Sequence, residues 1–152
     1  MDIETSIEQV AGILVREGLA FETADDGRGC RMIFDSAAVF IGFSPWKDGT
    51  VITLSSPILQ GIDEDSPGAA AALNMINGLN TNSFFTKFTF VDGALIVEYD
   101  LLADRLQADE LMNALSVVAT SAEVLDDELV DRIGGKPYVT LLEERESSGE
   151  DD

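Results

Sequence analysis

Carboxylates are the groups in this chain best placed to do chemistry. Aspartate and glutamate number 29 against 9 lysines and arginines, for a net charge of −20. Two runs concentrate them, Asp63-Glu64-Asp65 and Asp126-Asp127-Glu128. Such runs could hold calcium or supply an acid–base pair. Neither run has the alternating ligand positions of an EF-hand, and a hydrolytic carboxylate pair is defined in space rather than along the chain. Solvated acidic surface is therefore the expected role. The chain has no histidine, which removes the commonest general base and the commonest metal ligand together. Cys30 is the single cysteine, so no internal disulfide can form and a zinc site is close to excluded. With no histidine to activate it, Cys30 reads as a buried, inert thiol. Gly27-x-Gly29 precedes a strand-like run, not a helix, so it is no dinucleotide loop. P-loop and G-x-S-x-G patterns are absent. The expectation is a protein with no catalytic residues, no metal and no cofactor.

Binding chemistry is better represented. Asn74, Asn77 and Asn80 recur at spacings of three, which places them on one side of a helix. A solvated helix face is one reading. The other is an interface in which the amides bond across a partner helix and set its register. Beyond them, Phe85, Val91 and Ile96 fall on the outer face of a hairpin and keep that face partly apolar. These six residues are the candidate protein-binding or dimer surface.

Three helical stripes and two hairpins must position them. Ile3, Ile7, Val10 and Leu14 predict a helix over Ile3–Leu19, capped by Asp2 and stopped at Gly18. Phe21-Glu22-Thr23 and the β-rich segments CRMIF, AVFIGF and TVITL predict strands. Ser66-Pro67 opens a second helix, Ser66–Asn80, with Ala69, Ala72, Leu73, Ile76 and Leu79 as its buried stripe. Asp92-Gly93 is a two-residue hairpin signal. Its register pairs 91 with 94, 90 with 95, 88 with 97, 86 with 99 and 84 with 101. Phe84, Phe88, Phe90, Leu95, Val97, Tyr99 and Leu101 then share a core face, and Lys87 meets Glu98 on the other. Leu111, Leu115, Val118, Ala122, Leu125, Leu129 and Ile133 predict a third helix, Ala108–Ile133, ended by Gly134-Gly135. The order points to an α+β domain over residues 1–138, with helices packed on a mostly antiparallel sheet. Residues 139–152 read as an acidic disordered tail.

Composition narrows the partners. With 45% hydrophobic residues in 152, one domain can bury a sizeable core. The negative charge repels nucleic acid and anionic membranes alike. No apolar run approaches the ~20 residues that span a bilayer, and the acidic N-terminus is no signal peptide. A cytoplasmic location is expected.

The segments LNMINGLN, FFTKFTF, LIVEYDL and DRLQADEL, and the helix ending LDDELVDRIGG, together resemble the YbjN family. These are bacterial proteins similar in fold to type III secretion chaperones. VFIGFSPWKDGTVITLSSPIL suits the first half of that family's sheet, so the resemblance spans residues 3 to 135. It implies an α–βββ–α–ββ–α domain that is acidic, cytoplasmic, commonly dimeric and non-enzymatic. Secretion chaperones of this fold hold an extended stretch of a partner in apolar grooves. Gln107 departs from the pattern, standing where Thr or Ser would cap the last helix. Two functions follow. One is a homodimeric, chaperone-like module that captures a protein or peptide segment. The alternative is a bacterial sensory or regulatory protein acting through protein contacts or a small ligand.

Overall fold

The computed structural model describes residues 1–147. Helix α1 (Ile3–Arg16) is followed by strands β1 (Glu22–Thr23), β2 (Cys30–Phe34), β3 (Ala37–Trp46) and β4 (Gly49–Leu59). Helix α2 (Pro67–Asn82), the hairpin β5 (Thr86–Val91) and β6 (Ala94–Leu102), and helices α3 (Ala108–Ile133) and α4 (Tyr138–Ser147) complete the chain. The strands form one antiparallel sheet in the order β1-β2-β3-β4-β6-β5. The helix–βββ–helix–ββ–helix, α+β expectation is met.

Local chemistry explains the elements. The Asp2 carboxylate accepts the Thr5 N–H at 2.8 Å and caps α1, a bond that pulls its pKa down. Ser66 Oγ accepts the Ala69 N–H and Pro67 sits in the first turn of α2. Gln107 makes no side-chain cap on α3, but Asp109 and Glu110 in the first turn complement the helix dipole. Asp92 and Gly93 both take positive φ, 52° and 75°, as a tight hairpin turn of this hand demands. Val91↔Ala94, Phe90↔Leu95, Phe88↔Val97 and Thr86↔Tyr99 pair in the expected register.

Helices α1, α2 and α3 cover one face of the sheet. Leu14, Ile41, Ile52, Leu54, Leu95, Val97, Leu111 and Leu115 are its fully buried centre. Helix α2 seats itself through small residues: a Cβ on Gly68 would collide with the Ile133 carbonyl oxygen. Ala69 and Ala72 are buried, while Leu73 turns outward at 58% exposure. The expected inward Leu73 is thereby corrected, because close approach of α2 to the end of α3 sets the helix phase.

Two further expectations change. The 84–101 pair does not form, because β5 begins at Thr86, and Phe84 is solvent-exposed instead of in the core. Residues 138–147 depart from the expected acidic tail and form α4; residues 148–152 of that tail lie outside the described residues. A backbone bridge explains the change. Gln60 and Lys136 exchange hydrogen bonds of 2.8 and 2.9 Å, which brings the chain past the end of β4 onto the other face. There Tyr138 packs edge-on against Phe40, with ring centroids 5.6 Å apart. Its hydroxyl accepts from Arg31 at 3.3 Å, and Lys136 pairs with Glu144 at 2.9 Å.

Candidate functional site

Between α2 and β5 the chain holds two aromatic rings in solvent. Phe84 is 83% exposed and Phe85 77% exposed. The Thr86 N–H donates to the Phe84 carbonyl at 2.8 Å across a single residue, and Phe85 at its centre has φ 69°. This is a γ-turn of the rarer, strained hand, in a conformation that a bulky L-residue seldom adopts. Strain of this kind costs about 1–3 kcal/mol and tends to persist where it serves a site. The turn lays the Phe85 ring over Tyr99, with centroids 6.0 Å apart and planes 22° apart. Phe84 lies alongside it at 6.4 Å.

Next to this rim runs an apolar groove of about 530 Å³, floored by Leu79 and Phe88 and walled by Val117, Val124 and Leu125 of α3. Serine and threonine hydroxyls of α3 edge it. The open edge of the sheet beside it is guarded. Asn80 Oδ1 accepts the Phe88 N–H at 2.7 Å, and its Nδ2 donates to the Phe88 carbonyl at 3.1 Å. The amide thus imitates a neighbouring strand and blocks further strand pairing at that residue.

A second groove of about 530 Å³ lies between α3 and the β2–β3 turn. Leu19, Ile33, Met112 and Leu115 line it, with Asp35 and Glu123 contributing carboxylates. Burial raises the pKa of Glu123, and the charges of Asp35 and Asp126 add to that. Burial likewise raises Asp126, which is 3% exposed.

The six candidate residues do not form one patch. Asn74 and Asn77 are exposed on α2 with Leu73. Asn80 is engaged by Phe88 within the chain. Phe85 crowns the edge. Val91 is exposed, and Ile96 is half-buried between its cross-strand neighbours Pro57 and Thr89. Val91 and Ile96 belong to the sheet face opposite the one α3 covers. Lys87 reaches Glu98 at 3.3 Å as expected, and also Asp100 at 3.4 Å. Sequence reasoning missed Phe84, Leu73 and Val124. The Phe-Phe doublet directly after a helix was the available signal for the first. Val124 was detectable as an apolar residue lying off the buried stripe of α3.

Cys30 is half-buried, and desolvation pushes its thiol up to about 11, so little thiolate forms at neutral pH. Among the described residues no group of three His, Cys, Asp or Glu side chains is arranged to hold a metal ion. No helix among them is long and apolar enough to cross a membrane.

The fold is similar to a chain of the ExsC–ExsE complex, with a TM-score of 0.62 at 21% identity over 85% of this chain and 97% of that one. It is also similar to a chain of the HopA1–SchA chaperone–effector complex, with a TM-score of 0.57 at 13% identity over 84% and 98%. No curated protein matches the sequence. Residues 4–141 match the family TY-Chap1, described as type III secretion system (YopN, CesT) and YbjN peptide-binding chaperone 1. The chain belongs to this family of peptide-binding chaperones.

Proposed function

We propose that this protein is a non-enzymatic chaperone-like module that captures an extended or helical segment of another protein. The observation that carries the reading is the Phe84–Phe85 pair, kept in solvent by a strained turn beside the apolar groove of Leu79, Phe88 and Val124. A ligand covering both rings would remove apolar surface at about 25 cal/mol per Å². The net charge of −20 favours segments with lysine or arginine near their apolar anchors, and that preference weakens as salt screens it. The family and the chaperone–effector relatives support the reading. The single, inert thiol suits a reducing compartment such as the cytoplasm.

The test uses fluorescent synthetic peptides bearing two apolar residues, with and without flanking lysines, read by anisotropy. The double variant Phe84→Ser, Phe85→Ser should lose binding while its far-UV circular dichroism stays unchanged. Undiminished binding would move the site elsewhere.

We further infer that two copies associate through the outer side of α2, where Leu73, Asn74 and Asn77 are exposed, with the outer hairpin residues Val91 and Ile96 as the alternative surface. Sedimentation of a monomer at high micromolar concentration would remove the dimer from this picture.

A further inference from the structure

Both edges of the sheet are closed against an added strand. Backbone groups of an antiparallel edge strand point outward at every second residue. On β5 those residues are Thr86, Phe88 and Phe90, since Asn80 meets both groups of Phe88 from outside. The Thr86 N–H is taken by the Phe84 carbonyl, so two of the three positions are engaged from within the chain. At the other edge β1 covers Cys30 and Arg31 of β2. The Ala24 N–H on the Gly29 carbonyl at 2.8 Å fixes the phase there. Thr23 of β1, and Ile33 of β2 beyond it, are then the outward residues. A segment that adds to a sheet as a strand bonds at successive alternate residues, and neither edge offers two in a row along one strand.

The groove floored by Leu79 and Phe88 is shaped for a helix instead. Its α3 wall presents Val117, Thr120, Ser121 and Val124. Steps of three and four residues make this a straight ridge, ~10 Å long at ~1.5 Å per residue. Val124 is 54% exposed. Beyond it the same face of α3 runs on to Glu128 and Asp131, one and two turns away and both exposed. Neither makes an ion pair among the described residues. Across the groove α2 carries no charged residue from Pro67 to Asn82. The surface therefore has an uncharged centre and unspent carboxylates at one end. We propose that this groove receives an amphipathic helix of the captured protein. Its apolar residues at i, i+4 and i+7 lie in the groove, and a lysine or arginine one turn beyond them meets Glu128. The inference rests on the peptide-binding reading and names the conformation and charge pattern of what is bound.

The full chain, labelled with ¹⁵N, is titrated with three synthetic peptides of about 18 residues, long enough to hold a helix. The first has Leu at i, i+4 and i+7 on an Ala–Gln background, with Lys one turn beyond at each end. The second rearranges the same residues so that Leu alternates with polar positions, as a strand requires. The third is the first with Pro at its centre. Amide shifts are expected at Phe88, Val117 and Val124 with the first peptide, and its ¹³C-labelled Cα resonances should move in the helical direction on binding. The other two should bind at least tenfold more weakly. Val124→Ser should weaken the first peptide several-fold. Glu128→Gln combined with Asp131→Asn should remove its advantage over a version with Gln in place of Lys. All three positions are exposed, so these variants keep the fold. Cα shifts in the extended direction, equal binding of the proline or strand-patterned peptide, or amide shifts confined to other surfaces would overturn the proposal and leave the peptide reading standing. Shifts of Val117 and Val124 on dilution of the chain alone would assign the groove to a second copy and overturn it too. Binding of no peptide, patterned either way, would sink the peptide reading and this inference together.

Discussion

The two faces of the sheet are finished differently. On the inner face α1, α2 and α3 leave Leu54, Leu95, Val97 and Leu115 buried. On the outer face a single short helix, α4, meets β3 and β4, and Val91 and Leu102 stay exposed on the hairpin side. Length accounts for the contrast. Helix α3 has 26 residues, ~39 Å at ~1.5 Å per residue, whereas the six strands at ~4.8 Å spacing are ~24 Å across. Helix α4 has ten residues, ~15 Å, enough for about three strands. The long α3 packs on β3, β4 and β6 and, with α1 and α2 beside it, closes the inner face, whereas α4 alone cannot close the outer one. A face closed by a long helix supplies stability. The rims and partial covers left around it are where surface remains for partners.

Substitutions on the two faces put this contrast to the test. Leu115→Ala removes a side chain from the closed face at 2% exposure and should cost about 2–5 kcal/mol in denaturant unfolding. A loss under about half a kilocalorie would mean the inner face is not closed around α3. On the outer face, Tyr138→Ala deletes the Phe40 edge contact and the Arg31 hydrogen bond. The expected cost is about 1–2 kcal/mol. A loss as large as that of Leu115→Ala would erase the distinction between the faces.

A smaller effect of opposite sign is expected at Asp126, the charged exception in the inner layer. Burial raises its folded-state pKa above the unfolded value. Between those two values the folded form holds more protons than the unfolded form, so the carboxylate's destabilisation grows as pH rises through that window and is complete above it. Asp126→Asn should therefore stabilise the domain near neutrality, and the gain should shrink as pH falls toward the ordinary aspartate range. Thermal melts across that range would read it, and a gain independent of pH would rule out the charge as its cause. Smallest of all, Lys87→Ala breaks exposed ion pairs to Glu98 and Asp100 and should cost less than about 1 kcal/mol. A larger loss in chemical denaturation would show that the hairpin's outer face is held electrostatically.

The sequence by itself determined what depends on neighbours along the chain. The stripe of α3 is legible because residues three and four apart share a helix face. The hairpin register is legible because Asp92-Gly93 admits one tight turn and side chains alternate from there. The absence of histidine and the lone Cys30 set the chemistry before any fold was known. What only the tertiary structure decided depends on residues far apart in sequence. The phase of α2 follows from Gly68 meeting the end of α3, which turned Leu73 outward. Pairing of Gln60 with Lys136 carried residues 138–147 over the sheet, where composition alone read a solvated tail. Asn80 was legible as a helix residue, but its bonds to Phe88 required β5 to lie against it. Phe85 was read as part of a strand, yet its φ of 69° took the two rings off the ladder and into solvent. Asp35, Glu123 and Asp126 come from a turn and a helix some ninety residues apart. Long-range packing alone could bring their charges together, because no periodicity in a sequence encodes the distance between two elements that meet only when the sheet and helix close.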